Sequence, residues 1–421
     1  MDEPIIVGID VGTTKICTLV ARLEEGEGGG SAEQQFRRLR ILGVGIEPSQ
    51  GMRKGVPVDL RLVSQAIARS VEKAERTSGL EITSALVSLA GSNVSSVNSH
   101  GTAGITGKII EEDDVVHAVE NARAVAIPHN REVIHVIQRG FSVDGQGGIR
   151  VPLGMYGMRL EVETHIITAS ASAVENLRNC VAQDGVDVSQ FVLNQLASAE
   201  VVLNETEREM GVVVCDIGGG TTDLAIYVNG DVWHTAVMGI GGDHITSDIA
   251  QGLRLPVPQA EEVKKQYGYA VQSEVGAEEG FNIRPFGEEA PVLVSRLELA
   301  HIVEARVEEI FGMVLQEIKR SGYDGLLPAG MVLTGGSSAL PGIRTIASRV
   351  LGLPVRLGQP QNLIGMTDKL HAPAFSTSVG LLHWAVMMTE IGQEVAPRRR
   401  SSSAGGLDWE KIKEFLRRLL P

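Results

Sequence analysis

Short apolar runs bounded by glycine, serine and asparagine alternate along the chain with stretches whose apolar residues recur every three or four positions. That alternation predicts strands interleaved with helices, an α/β fold. Residues 5–21 and 39–46 read as strands, joined by a Gly- and Glu-rich loop over 24–31, and residues 60–78 carry helical spacing that stops at Gly79. Over 84–160 the rhythm changes to Ser-, Asn- and Gly-rich strands, with a helix predicted at 111–125 and a strand at 132–139, which reads as an inserted subdomain. A strand over 161–169 is expected to return to the core, and a helix over 173–184 leads on to an apolar run from Val212 that restarts the opening pattern. The expectation is a duplicated fold with a cleft between its halves, a favoured place for a ligand.

The pattern changes once more at the C-terminus. A polar stretch, Arg398-Arg399-Arg400-Ser401-Ser402-Ser403-Ala404-Gly405-Gly406, has linker composition and precedes residues 407–420. Wound at about 100° per residue, Trp409, Ile412, Phe415, Leu416, Leu419 and Leu420 fall within one arc of about 140°. Asp408 and Glu410 near the start and Arg417 and Arg418 near the end suit the helix dipole. Lys411, Arg417 and Arg418 beside an aromatic-bearing face match a helix lying in an anionic membrane interface. Docking on the chain's own body is the alternative. Each large side chain gives at most about 1.5–3 kcal/mol on full burial, and forming the helix costs part of that, so one such segment binds weakly. Many of them on a polymer would bind together.

Chemistry enters through a hairpin that occurs twice. The first copy is Ile6-Val7-Gly8-Ile9-Asp10-Val11-Gly12-Thr13-Thr14-Lys15, and the second Val213-Val214-Cys215-Asp216-Ile217-Gly218-Gly219-Gly220-Thr221-Thr222-Asp223. Glycine turns bring main-chain amides up to an anion with no Cβ in the way, and successive amides form a nest for phosphate oxygens. The threonines add hydroxyl donors. Asp10 and Asp216, leaving each strand, suit a magnesium ion held through its water shell. A single such turn is usually only a turn, but two matched copies can pinch one polyphosphate. Neither a Gly-x-x-x-x-Gly-Lys-[Ser/Thr] loop nor an N-terminal Gly-x-Gly-x-x-Gly occurs.

Two later segments fit the same cleft. Met331-Val332-Leu333-Thr334-Gly335-Gly336-Ser337 reads as a buried strand opening into a bare turn against which a flat base could lie, although such a turn also serves as a plain loop. The helix around 260–268 puts Glu261 on one face with Lys264 and Lys265, where a solvated ion pair is the plainer reading.

Composition limits the classes. The chain has 421 residues, 43% hydrophobic and 21% charged, enough for two or more cored domains, and its net charge of −14 argues against a general nucleic-acid surface. Cys17, Cys180 and Cys215 lie far apart in apolar runs, without metal-ligand spacing or a disulfide framework, as in a reducing cytoplasm. The N-terminus lacks signal-peptide character, and no run of about 18 apolar residues could span a bilayer.

The order of hairpin, connecting helix, hairpin and Gly-Gly-Ser turn resembles the actin, DnaK-type chaperone and sugar-kinase superfamily. Within it the chain is most similar to the bacterial cell-division family FtsA, on stretches such as Ser88-Leu89-Ala90-Gly91-Ser92, His135-Val136-Ile137-Gln138, Gly154-Met155-Tyr156-Gly157-Met158-Arg159 and Leu196-Ala197-Ser198-Ala199. The resemblance covers roughly residues 4–390 and the tail. It implies an actin-like two-domain ATPase fold with a duplicated core, an inserted subdomain and a C-terminal amphipathic helix. The implied division is 1–83 with 161–194 as the first core half, 84–160 inserted, 195–235 with 305–390 as the second half, 236–304 its small subdomain, 391–406 a linker and 407–420 the helix.

The resemblance further implies ATP with Mg²⁺ in the cleft: metal at Asp10 and Asp216, phosphates at Gly12, Thr13, Thr14, Lys15 and Gly218 to Thr222 (with Gly219, Gly220 and Thr221 between). Gly241 and Gly242 join them as nucleotide-binding positions. Glu261, Lys264 and Lys265 would meet ribose and base, and Gly335, Gly336 and Ser337 would close over adenine. Where filament-forming relatives such as MreB carry a water-orienting glutamate, Gln195 is expected here; an amide orients water but takes no proton, so slow or negligible hydrolysis follows. The resemblance also implies filaments, attachment at the division site to the cytoplasmic face of the membrane, and capture of the FtsZ tail near Arg296 and Arg306, although solvated helix positions account for both arginines equally well. A metabolite kinase would share the clamp but have little use for the tail; a chaperone would need a further β-rich domain; a pilus-assembly relative is the remaining alternative.

Overall fold

A computed structural model describes residues 4–24, 38–124, 127–361 and 363–394. The loop expected at 24–31 and the C-terminal helix therefore lie almost wholly or wholly outside the described residues. The first half opens with β1 (Ile5–Val11), β2 (Lys15–Glu24) and β3 (Arg38–Pro48), an antiparallel meander, followed by a small hairpin of β4 (Met52–Arg53) and β5 (Val56–Pro57). Helix α1 (Leu60–Ser78) has the bounds its spacing predicts. Asp59 caps its first turn by accepting from the Leu62 amide, and Gly79, at φ 73°, ends it in a left-handed conformation that costs glycine nothing. Its buried face, Val63, Ala66, Ile67, Ser70, Val71 and Ala74, lies on β3 so closely that a Cβ on Gly45 would stand 1.8 Å from the Ser70 carbonyl oxygen. The next strand, β6 (Ser84–Leu89), runs parallel to β1.

The insert follows: β7 (Ser95–Gly104), α2 (Glu112–Arg123), β8 (Arg131–Val143), β9 (Gln146–Ile149) and β10 (Arg159–Ser170), in the sheet order β7-β10-β8-β9 with α2 packed on it. Sheet membership differs from the sequence-based boundaries at both edges. The strand expected to return to the core at 161–169 is β10, which pairs along its whole length with β7 and β8, and 84–89 belongs to the core sheet as β6. The chain regains the core through α3 (Ala171–Ala182) and β11 (Asp187–Leu193), which is parallel to β6.

The second half repeats the plan. Helices α4 (Asn194–Val202) and α5 (Glu205–Met210) lead to β12 (Val212–Ile217), β13 (Thr222–Val228) and β14 (Asp231–Met238). Then come α6 (Gly242–Gly252), α7 (Val257–Tyr267), the small hairpin β15 (Gly280–Ile283) and β16 (Val292–Ser295), α8 (Arg296–Ser321), β17 (Met331–Thr334), α9 (Ile343–Leu351), β18 (Val355–Leu357), β19 (Ile364–Gly365) and α10 (Ser376–Glu394). The two core sheets run β11-β6-β1-β2-β3-β19 and β14-β13-β12-β17-β18. In each, an antiparallel meander is extended by parallel strands, β1 to β6 in the first and β12 to β17 in the second. The duplication expected from the two hairpins is thus present in the topology. β12 is buried at every position, as a central strand covered on both faces must be. Helices α4 and α10 pack between the lobes, with Leu196, Ala197, Leu381 and Trp384 in one cluster. Cys17, Cys180 and Cys215 are buried and free, and no described helix is long and apolar enough to cross a membrane.

The insert rests on the second lobe through buried polar groups. His165 Nδ1 lies 2.6 Å from Asn98 Oδ1 and Nε2 lies 2.9 Å from Thr235 Oγ1, while the Arg139 guanidinium stacks 3.7 Å from the Trp233 ring centroid. Burial, reinforced by the charge of His234 and Arg139, lowers the His165 pKa to about 3, and burial alone lowers that of His135 to about 3. Below the ordinary histidine value near 6.5 the unfolded chain takes up protons that the native state refuses, so stability falls with pH across the window from about 6.5 down to about 3. Taking the protein from pH 7.5 to 5 should cost about 2 kcal/mol per histidine. Thermal unfolding of wild type and His165→Gln at pH 7.5 and pH 5 tests this: the acid-induced loss is expected to be about 2 kcal/mol smaller in the variant, and equal losses would overturn it.

Candidate functional site

The two hairpin turns touch across a cleft of about 380 Å³ between the lobes, a volume suited to a small ligand. Each turn is closed by its own backbone bond, Gly12 N–H to Lys15 O at 3.0 Å and Gly218 N–H to Thr221 O at 2.9 Å. A Cβ on Gly219 would stand 2.1 Å from Thr14 Oγ1, and one on Gly220 would stand 2.6 Å from Thr13 Oγ1. The bare glycines of the second turn are what let the threonines of the first approach it.

Asp10 and Asp216 are buried at the floor. Asp10 accepts from Ser88 Oγ at 3.0 Å and Ser378 Oγ at 2.7 Å, with Lys15 Nζ 3.3 Å away; Asp216 accepts from Ser198 Oγ at 2.5 Å and Thr377 Oγ1 at 3.0 Å. The first turn of α10 therefore serves both carboxylates. Burial raises the Asp216 pKa and the Asp10 charge adds to it, against the hydrogen bonds from Ser198 and Thr377. Burial and then the Asp216 charge push Asp223 well above the carboxylate range, and its Oδ1 has no hydrogen-bond partner although the residue lines the cleft. Burial works against the Lys15 charge, but Asp10 outweighs it and the lysine pKa rises.

The far wall comes from α6, α7 and the turn after β17. Glu261 meets Thr246 Oγ1 at 2.5 Å, Lys264 Nζ at 2.6 Å and Lys265 Nζ at 3.1 Å. Burial opposes its ionisation, yet the Lys264 and Thr246 bonds hold its pKa below the usual range. Ser337 Oγ donates to Gly218 O at 2.9 Å, tying the Gly-Gly-Ser turn to the second hairpin. Gly335, at φ 86°, could carry no side chain: its Cβ would fall 2.3 Å from Asp216 Oδ1. Ile245, Leu340, Pro341 and Ala374 add an apolar surface.

Of the residues singled out in the sequence, Asp10, Gly12, Thr13, Thr14, Lys15, Asp216, Gly218, Gly219, Gly220, Thr221, Glu261, Lys264, Lys265, Gly335, Gly336 and Ser337 line this one cleft. Thr222, Gly241 and Gly242 lie behind it. Thr222 donates to Ile240 O, the Gly242 amide donates to Gly218 O, and Gly241 packs on the Gly219 carbonyl. Gln195 is fully buried, neither of its amide atoms has a partner, and the residue of that helix that lines the cleft is its neighbour Asn194, which donates to Asp223 Oδ2 at 3.4 Å. On a helix one position is a rotation of about 100°.

The sequence reading also missed Ser88, Ser198, Thr377, Ser378 and Asp223. A Ser-Thr-Ser run opening an apolar helix was the signal available for two of them. Arg306 is already engaged at all three guanidinium nitrogens, with Asp248 and Glu309, and Arg296 binds Tyr267 O and Glu279. The aromatic-faced segment with Trp409, Ile412, Phe415, Leu416, Leu419 and Leu420 lies outside the described residues.

The donor set fits a hydrated cation. Two buried carboxylates line the cleft with Asp223, whose Oδ1 lacks a partner, yet among the described residues no three His, Cys, Asp or Glu side chains converge to ligate an ion directly. A small hard ion that keeps its waters suits that arrangement.

The model of the family described as "Cell division protein FtsA" matches residues 213–380, and that of the "SHS2 domain inserted in FTSA" matches residues 91–168. The cell division protein FtsA of Pseudomonas aeruginosa is 41% identical over 399 residues, covering 95% of this chain and 93% of its own. Among solved structures, the PilM–PilN type IV pilus biogenesis complex matches with a TM-score of 0.60 at 15% identity, over 90% of this chain and 98% of that one. MreB5 of Spiroplasma citri bound to ADP matches with a TM-score of 0.55 at 14% identity, over 94% of this chain and 99% of that one. Both structural likenesses establish the actin-like fold.

Proposed function

Because the chain belongs to the FtsA family of cell-division proteins, we propose that it binds ATP with Mg²⁺ in the interlobe cleft, polymerises, and anchors the FtsZ ring to the inner face of the cytoplasmic membrane at the division site. The observation that carries the nucleotide reading is the contact between two matched glycine turns over a pair of buried carboxylates. The two turns would receive the phosphates through amides and the Thr13, Thr14 and Thr221 hydroxyls, with Lys15 as the local cation. Asp10 and Asp216 would hold the ion through its waters, and its charge would offset that of the polyphosphate. Glu261, Lys264 and Lys265 would take the ribose, and Gly335, Gly336 and Ser337 with Leu340 would take the base.

Hydrolysis should be slow. Asn194 in the cleft wall can orient water but cannot remove its proton, and Gln195 is buried away from the cleft. Turnover as fast as that of a metabolic kinase would overturn this point. The two core halves, with β6 in the first and β10 left to the insert, would close on the nucleotide, while 236–304 would offer the FtsZ tail a surface including Arg296. If Arg296→Glu leaves binding of that tail unchanged, the assignment falls.

Attachment rests on Trp409, Ile412, Phe415, Leu416, Leu419 and Leu420, with Lys411, Arg417 and Arg418 toward anionic headgroups. Sedimentation with anionic liposomes, with and without ATP, compares full length with a chain stopped at Arg400. The expected outcome is ATP-enhanced pelleting that truncation reduces at least tenfold, because polymer avidity multiplies a weak single tail. Pelleting that ignores the truncation would overturn the anchor.

A further inference from the structure

Resting on the nucleotide reading, we propose that Lys54, at the tip of the β4–β5 hairpin, is a third phosphate-contacting element that distinguishes a nucleoside triphosphate from a diphosphate and relays the difference to the insert. Four observations place it. The Gly55 amide donates to Thr13 Oγ1 at 3.2 Å, which pins the tip to the first phosphate turn. A Cβ on Gly220 would stand 3.1 Å from Lys54 Cα, so the tip also abuts the second turn, from the opposite lobe. On its other side the tip presses on the start of the insert: a Cβ on Gly55 would meet the Gly91 amide nitrogen at 2.7 Å, and one on Gly239 would meet Lys54 Cδ at 3.4 Å and Ser92 Cβ at 3.7 Å.

The fourth observation is conformational and electrostatic. Lys54 and Gly55 are the two turn residues of the β4–β5 hairpin, with φ of 49° and 75°, the left-handed pair that so tight a turn requires. The Lys54 side chain is exposed and, among the described residues, makes no hydrogen bond or ion pair. A tight hairpin thus holds a lysine without a partner at the meeting point of both phosphate turns, in a chain of net charge −14 where the lysines lining the cleft are already paired.

On the nucleotide reading, the outermost phosphate would be the group nearest the point where the two turns meet. Lysine is suited to it as a mobile point charge on a flexible stem. Thr13 Oγ1 can accept from Gly55 N–H and donate to a phosphate oxygen at once, so occupancy polarises and strengthens the bond that holds the hairpin down. Because Gly55 lies against Ala90 and Gly91, where the chain leaves β6 for the insert, the tip cannot settle or lift without that junction responding.

The test uses the full-length protein and titrates Mg·ATP and Mg·ADP by calorimetry, with hydrogen exchange followed over 91–104. Lys54→Ala should lose about tenfold in ATP affinity, keep ADP affinity within about twofold, and lose ATP-dependent protection of 91–104. Lys54→Arg, which keeps the charge, should recover most of the ATP preference. An unchanged ATP-to-ADP ratio in Lys54→Ala, or equal weakening of both nucleotides, overturns the role of Lys54 while leaving the nucleotide site intact. If wild type binds neither nucleotide, the underlying reading fails as well.

Discussion

Gly380→Ala should disable the cleft and destabilise the protein together. Gly380 lies in the first turns of α10 against α4, and an added Cβ would fall 1.9 Å from the Ala197 carbonyl oxygen, a backbone atom with no rotamer through which to yield. The helices would have to part. Thr377 and Ser378, three and two residues earlier on α10, are donors to Asp216 and Asp10, so the same displacement takes one hydroxyl from each carboxylate. Overpacking at a backbone contact costs about 3 kcal/mol, and nucleotide binding should be lost outright. Gly312→Ala is the matched control: it sits in α8 with nothing within 4 Å of its Cβ position, so the substitution should be neutral or stabilise by up to about 1 kcal/mol. Thermal unfolding and nucleotide titration of the two variants check the contrast; a Gly380→Ala protein as stable as wild type would mean that the α4–α10 contact does not set the site.

Asp216→Asn should move stability and binding in opposite directions. The carboxylate is buried, its pKa is raised chiefly by burial, and the Asp10 charge works against it, so an isosteric amide relieves a strain present in the nucleotide-free protein. Nucleotide-free stability should hold or rise. Mg·ATP affinity should fall about 100-fold, equivalent to about 2.7 kcal/mol, because the amide carries no charge to hold the hydrated ion. Unfolding midpoints in EDTA paired with titration in Mg²⁺ read both effects. Parallel losses would mean that Asp216 is a structural acceptor and no more.

How legible the site was depended on sequence distance. The two hairpins, α1 with its stop at Gly79, and the Glu261–Lys264–Lys265 face are short-range patterns, and each stands where the sequence put it. The hydroxyls around the carboxylates come from three distant places, Ser88, Ser198 and the pair Thr377 and Ser378, and only the tertiary fold brings them together. β10 shows the same limit for strands. Its alternation announces a strand, but hydrogen bonding to β7 and β8 rather than to the core is a matter of partners, which periodicity does not encode. Gln195 and Asn194 differ by a single step on one helix, and that step decides which faces the cleft. Arg306 reads as an exposed charge until Asp248, far away in the chain, claims it.

The first turn of α10 holds the two acidic side chains beneath the paired glycine turns, and its last residue, Glu394, precedes the polar stretch that leads to the aromatic-faced tail. At 1.5 Å per residue the helix is a rod about 28 Å long. The exit of the chain at Glu394 is therefore carried by the helix that holds the carboxylate floor, and under the attachment proposed above a rotation of the lobes about that floor would swing the rest of the molecule relative to the surface.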